Sequence, residues 1–230
     1  EGSGSTTADI SGNNNNGTLV GGPTWVDGPF KKALKFTGSN KVTIPYSAAL
    51  NRYQTDFTIS AWINLDAYPS EWVGAIVSNR NAGGTAGSLF FVRGELDPTY
   101  KRRIAFDTSI GTTGRFVWGT TPLTTGRWYH VAMTYEYVGG NLNQVTLYLD
   151  GVPEATGTVN DIASSAEGTV IGYEPASPPA SYHLRGTVDE VAIYSRVLTP
   201  SEILGIANSY SVTPPAALTF SGEQENPTPP

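Results

Sequence analysis

Between residues 42 and 198 the chain alternates short apolar, β-branched and aromatic runs with clusters of Gly, Pro, Asn, Asp and Ser. The runs "VTIPY" (42–46), "FTISAWINL" (57–65), "GAIVSNR" (74–80), "SLFFVRG" (88–94) and "RRIAFDT" (102–108) come first. "GRFVWGT" (114–120), "WYHVAMTYEYV" (128–138), "QVTLYLDG" (144–151), "GTVIGY" (168–173) and "TVDEVAIYSRVL" (187–198) follow. Runs of this length bounded by turn residues predict strands of an all-β sandwich or barrel. From Phe57 to Ile63 the odd positions are apolar and Thr58 and Ser60 polar, so the two sets face opposite ways. Trp62 breaks that alternation and predicts a strand covered on both sides. Val145, Leu147 and Leu149 line one face of their run, with Gln144, Thr146, Tyr148 and Asp150 on the other.

Turn chemistry points to antiparallel neighbours. Asp150-Gly151 suits a tight hairpin, which needs positive φ at both central residues, and Val138-Gly139-Gly140-Asn141 suits a looser one. The spacing predicts one short C-terminal helix over 200–209. Thr199 caps it, Pro200 takes the first helical position and Glu202 reaches back to the cap. Ile203, Ile206 and Ala207 form its apolar stripe. No internal repeat of 20–50 residues is visible.

At 230 residues the chain can bury a sizeable core without staples. It has no cysteine, which excludes disulfides, thiolate metal sites and cysteine nucleophiles. Net charge is −6, and the densest basic cluster, Lys101-Arg102-Arg103, sits beside Glu95 and Asp97 in sequence. That balance argues against nucleic acid or an anionic membrane surface as partner. No apolar stretch approaches the ~18–20 residues of a membrane span. Residues 1–8 read as a linker, 9–212 as one domain, and 213–230 as a proline-rich spacer toward other domains of a longer chain.

The stretch "DISGNNNNGT" (9–18) cannot help build a core. It is either a solvated loop or a loop folded around something that takes oxygen ligands. Asp9 offers a carboxylate, Asn13 and Asn15 offer amide oxygens, and Gly12 and Gly17 let the backbone turn.

"DISGNNNNGTLVGGPTWVDGPFKKALKFTGSNKVTIP", "DFTISAWINL", "GRWYHVAMTY", "VTLYLDGV" and "LRGTVDEVAIYSRVLTPSEI" resemble, in order, the blocks of bacterial laminin-G-like, concanavalin A-like jelly-roll domains. The resemblance covers roughly 9 to 208. It implies two curved antiparallel sheets packed face to face, and a binding or adhesive role rather than catalysis. It also implies that the first and last strands pair, bringing Asp9 near Asp189. The family often holds a structural calcium, which here would take Asp9, Asn13, Asn15, Gly17 and Asp189. One departure stands out: where relatives commonly carry acids after "F-x-G", this chain has Ser39-Asn40-Lys41.

The same sandwich carries endoglucanases, which use two carboxyl groups on one strand. The nearest run, "ELDPTY" (95–100), has Tyr100 in the third position and Pro98 inside it, which speaks for a loop. Asp189 and Glu190 are adjacent and would face opposite sides of a strand. Of the two histidines, His130 lies in a strand pattern and His183 in a polar loop with no serine elbow nearby. A lyase-like set of Arg93, Tyr182 and His183 keeps a polysaccharide-active enzyme as a second alternative.

Sugar recognition uses aromatic rings and planar polar groups. Trp62, Phe57, Trp128, Phe36 and Phe90 sit in core contexts, whereas Tyr68, Trp72, Tyr100, Trp118, Tyr173 and Tyr182 sit in polar ones. The candidate ligand-binding residues are Tyr68, Trp72, Arg93, Tyr100, Trp118, Tyr182 and His183. The reading is a monomeric, extracellular or cell-surface, non-catalytic module that binds polysaccharide or another glycan, with calcium. The first alternative is an adhesive or spacer module of a surface protein.

Overall fold

The computed structural model describes residues 2–50, 54–108, 115–139, 142–174 and 182–209. The proline-rich tail, the second half of the Val138–Asn141 turn and residues 175–181 lie outside them. The strands are β1 (Thr6–Thr7), β2 (Gly17–Val20), β3 (Thr24–Gly28), β4 (Lys31–Thr37), β5 (Lys41–Ile44), β6 (Phe57–Leu65), β7 (Val73–Ser78), β8 (Ser88–Arg93) and β9 (Ile104–Thr108). β10 (Arg115–Trp118), β11 (Trp128–Glu136), β12 (Asn143–Leu149), β13 (Val152–Val159), β14 (Thr169–Ile171), β15 (Tyr173–Glu174), β16 (Tyr182–His183) and β17 (Arg185–Tyr194) follow, then the helix α1 (Pro200–Asn208).

Two antiparallel sheets make a jelly-roll sandwich. One has eight strands in the order β1-β2-β5-β14-β7-β8-β9-β10, the other seven in the order β13-β12-β11-β6-β17-β4-β3. β15 and β16 form a separate two-stranded ribbon. The facing sides bury one continuous core that includes Phe36, Phe90, Phe106, Ile63, Met133 and Tyr135. β6 is buried along nearly its whole length, Trp62 included, as a strand covered on both sides must be. Asp150 and Gly151 take φ of 50° and 81° between β12 and β13, the tight hairpin expected of that pair. Thr199 and Glu202 close a capping box at α1, whose Ile203 and Ala207 are buried.

One implied feature is corrected. The first and last strands do not pair. β1 turns back onto β2 in the eight-stranded sheet, and β17 lies between β4 and β6 in the seven-stranded one. The physical cause is the short link between β2 and β3. Gly21 and Gly22, at φ of 75° and 74°, swing the chain from one sheet to the other within three residues. Everything N-terminal to that link belongs to the sheet that does not contain β17.

Candidate functional site

The sandwich has two outer faces, and they are finished differently. On the eight-stranded sheet a second apolar cluster, Val73, Ala75, Leu89, Phe91 and Ala105, lies on the side away from the core. Trp118 and Tyr182 pack against it. Phe116 and Trp118, two apart on β10, project to this same face and stack with centroids 4.9 Å apart. Tyr100 stacks on Trp118 at 4.7 Å. The Trp118 indole thus stacks with two neighbouring rings and supports the row.

Trp72 completes the patch from a loop that the sequence docks tightly. Its carbonyl accepts the Gly94 amide and the Pro69 carbonyl accepts the Glu95 amide. Gly94 is required here, because a Cβ would run into the Glu71 carbonyl. Arg93 lies 4.7 Å from the Trp72 ring and 5.3 Å from the Trp118 ring, with its Nε donating to Asp97 at 2.8 Å. The guanidinium is thus wedged between two indoles and fixed at one edge. Trp72 remains 40% exposed and Phe116 42% exposed, a large open area for rings.

The carboxylates around this shelf are occupied. Glu95 takes both Nε and Nη2 of Arg102, and that contact holds its carboxyl below the usual range. Burial works against the charge of Asp97, but the amides of Tyr100 and Thr99 and the Arg93 side chain outweigh it and leave its pKa lowered. A glycosidase acid needs a raised pKa. Neither group of the "ELDPTY" run offers one. Deeper on this face Asp107 pairs with Arg80, and burial raises its carboxyl.

Of the seven residues expected at a ligand site, the fold brings Trp72, Arg93, Tyr100 and Trp118 together, with Tyr182 on the border of their apolar cluster. Tyr68 packs instead against the main core, with Arg102 over its ring at 4.1 Å. His183 stacks on Tyr173 at 4.6 Å, and burial lowers its pKa. Phe116 and Arg103 belong to the patch and were not anticipated. The period-2 rule applied from Trp118 would have found Phe116.

The residues expected to hold calcium line a different place. A cavity of about 590 Å³ opens between the sheets, walled by Phe36, Val42 and Val188 and bordered by Asp9, Asn13, Asn15, Gly17, Asp189 and Glu190. Asp9 accepts the amides of Ser11 and Asn15 at 2.9 Å each and donates its own amide to the Asn16 side chain. The Ser11 side chain first, then the Asn15 and Ser11 amides, lower its pKa. Gly12, at φ 85°, makes the turn; Gly17 instead admits Val42 and Thr7 where a Cβ would collide. Asp189 accepts the Phe30 amide at 3.2 Å and the Glu190 amide at 2.9 Å, and burial raises its pKa. Among the described residues no three Asp, Glu or His side chains cluster as metal ligands. A cation here would depend on amide and carbonyl oxygens.

Comparison with known proteins gives the fold a family. A family model described as the concanavalin A-like lectin/glucanases superfamily, of laminin-G type, matches residues 36–204. No match exists among curated protein sequences. The binding domain of Paraclostridial Mosquitocidal Protein 1 superposes with a TM-score of 0.70 at 18% identity, covering 88% of this chain and 49% of that one. Domain 4 of AbnA, a GH43 extracellular arabinanase from Geobacillus stearothermophilus in complex with arabinotriose, gives 0.67 at 20%, covering 87% and 92%. The binding domain of botulinum neurotoxin serotype G gives 0.63 at 13%, covering 87% and 47%. The chain spans about half the length of the two toxin domains. At these identities the likeness is one of fold.

Proposed function

We infer that this chain, which belongs to the concanavalin A-like lectin/glucanases superfamily, is a non-catalytic carbohydrate-binding module. The observation that carries this reading is Trp72, a half-exposed indole held rigid from one side by Arg93 and Asp97. A ring fixed in advance loses little freedom when a pyranose or furanose face settles on it. The free η N–H groups of Arg93 then stand ready for sugar hydroxyls. The ion-paired state of Glu95 and Asp97 supports binding without hydrolysis. A structural neighbour solved with arabinotriose and named as part of an extracellular enzyme supports a glycan partner and an extracellular setting. On this reading the module takes in β1, whose Thr6 and Thr7 pair with β2 and so do not belong to a linker, and runs to 212, with 213–230 tethering it to further domains.

Affinity electrophoresis against a panel of neutral and acidic polysaccharides tests the reading. At least one polymer should retard the wild-type chain, and Trp72→Ala should abolish that retardation while lowering the melting temperature by only about 2–4 °C. No retardation by any polymer transfers the function to the adhesive or spacer alternative.

Calcium at the mouth of the inter-sheet cavity is part of the same proposal. Support comes from Asp9, Asn13, Asn15, Gly17 and Asp189 bordering one cavity. Asp189, however, pairs with Trp62 and turns its carboxylate to the outer side of the seven-stranded sheet, against Phe30 and Gly28. An ion in the cavity would therefore be held by the β1–β2 turn and not by that carboxylate. Calcium at about a hundred times its Kd would add about 2.7 kcal/mol to stability. Scanning calorimetry with and without chelator reads this; a melting temperature indifferent to chelator, in wild-type and Asp9→Ala alike, removes the ion.

A further inference from the structure

The described arginines are almost all committed. Arg80, Arg93, Arg102, Arg127 and Arg196 hold carboxylates, Arg115 reaches the Thr158 hydroxyl and Arg185 the Thr37 carbonyl. Arg103 is the exception. Among the described residues its side chain makes no hydrogen bond and no ion pair, although its Nε is buried. Its guanidinium lies 5.8 Å from the ring of Tyr100, at the end of the stacked row. A planar cation partly removed from water, left without an acceptor and standing at an aromatic row lacks one partner: an oxyanion matched to its fork.

The charges nearby point the same way. Arg102 cancels Glu95 and Arg93 cancels Asp97. Lys101 and Arg103 then remain as the uncancelled charges of the 93–103 segment, both positive, in a chain whose net charge is −6. Glu71 beside Trp72 and Glu154 beside Gly119 flank the other parts of the shelf, so it is the Tyr100 end of the row, where Arg103 stands, that favours an acidic ligand.

We propose that Arg103 reads the carboxylate of a hexuronic acid residue, so that the shelf takes acidic polysaccharide. This rests on the carbohydrate reading above and sharpens its ligand class. The sugar ring meets the aromatic row while its carboxylate accepts two N–H bonds from the guanidinium, with Lys101 adding an unpaired, exposed charge.

Isothermal titration with polygalacturonate, alginate and fully methyl-esterified polygalacturonate tests the assignment. Wild type should bind a free uronate polymer on the order of tenfold more tightly than the esterified one, and Arg103→Gln should erase that difference while leaving the melting temperature in place. Added salt should weaken the uronate complex and spare the neutral one. Equal affinity for esterified and free polymer, or an Arg103→Gln chain that binds uronate as wild type does, overturns the assignment. So does silence toward both uronates. In each of those cases a neutral polysaccharide lost in Trp72→Ala would leave the carbohydrate reading standing, so the two failures separate.

Discussion

Trp62 and Trp72 are ten residues apart and belong to opposite outer faces of one sandwich. Trp62 projects from β6 onto the outer side of the seven-stranded sheet, with Phe30 at 6.2 Å, the edge of His130 at 5.5 Å and only 6% of its surface open. On that same sheet Ala132 and Tyr148 pack against Leu198 and Ile203, at and before the helix α1. That face is closed by the chain's own helix and turns. Trp72 sits against the eight-stranded sheet, where rings stack on one another and, among the described residues, no helix covers them. The difference teaches where to look for a partner: a face that its own chain has sealed is structural, and a face floored with ordered but half-covered rings is available.

The largest expected effect tests that contrast directly. Trp62→Ala should cost about 3–5 kcal/mol, the range for emptying a buried aromatic site, and lower the melting temperature on the order of 10 °C for a domain of this size. Trp72→Ala makes the same truncation on the open face and forfeits mainly its contact with Arg93, about 1 kcal/mol. Denaturant midpoints of the two variants read both values. Equal losses would mean that Trp72 is a core residue too and that the shelf is not open.

What could be read in advance follows the same divide. Strands with a buried face announced themselves through alternation and β-branching, and β6 was found at its full length. The strands that escaped notice are edge or half-exposed ones. β13 contains Pro153, tolerable because that strand is the outer edge of its sheet. β3 and β4 read as polar, with Lys31, Lys32 and Lys35 facing solvent or surface acids. At the shelf, sequence identifies rings in polar settings but not what covers their faces. Tyr68 and Trp72 share the run "DAYPSEWVG", yet one packs into the core and the other stays open. Arg103 was invisible for a related reason: Glu95 and Asp97 lie within eight residues of Arg93, Arg102 and Arg103 alike, and only folding decides which arginine goes without an acid.

His130 gives a smaller and graded test of the sealed face. It is fully buried, its Nε2 lies 2.9 Å from the Ser60 hydroxyl, and its Nδ1 has no partner among the described residues. The backbone amide of His130 donates to Asp150, but no carboxylate reaches the ring itself. Burial alone lowers the pKa to about 4, against an ordinary 6.5. A depressed pKa means that protons prefer the unfolded chain. The neutral imidazole therefore contributes its full stability above pH 6.5, and that contribution is lost as pH falls from there toward 4. The span of the shift is worth about 3 kcal/mol at most. Asp107 and Asp189 carry shifts of the opposite direction, so the measurement is the difference between wild type and His130→Gln, in which the carboxylates cancel. Urea midpoints from pH 7.5 down to pH 4.5 should show the wild type losing ground to the variant steadily below about pH 6.5. Parallel curves would mean that water reaches the imidazole, and that the seven-stranded face is no better sealed than the shelf opposite.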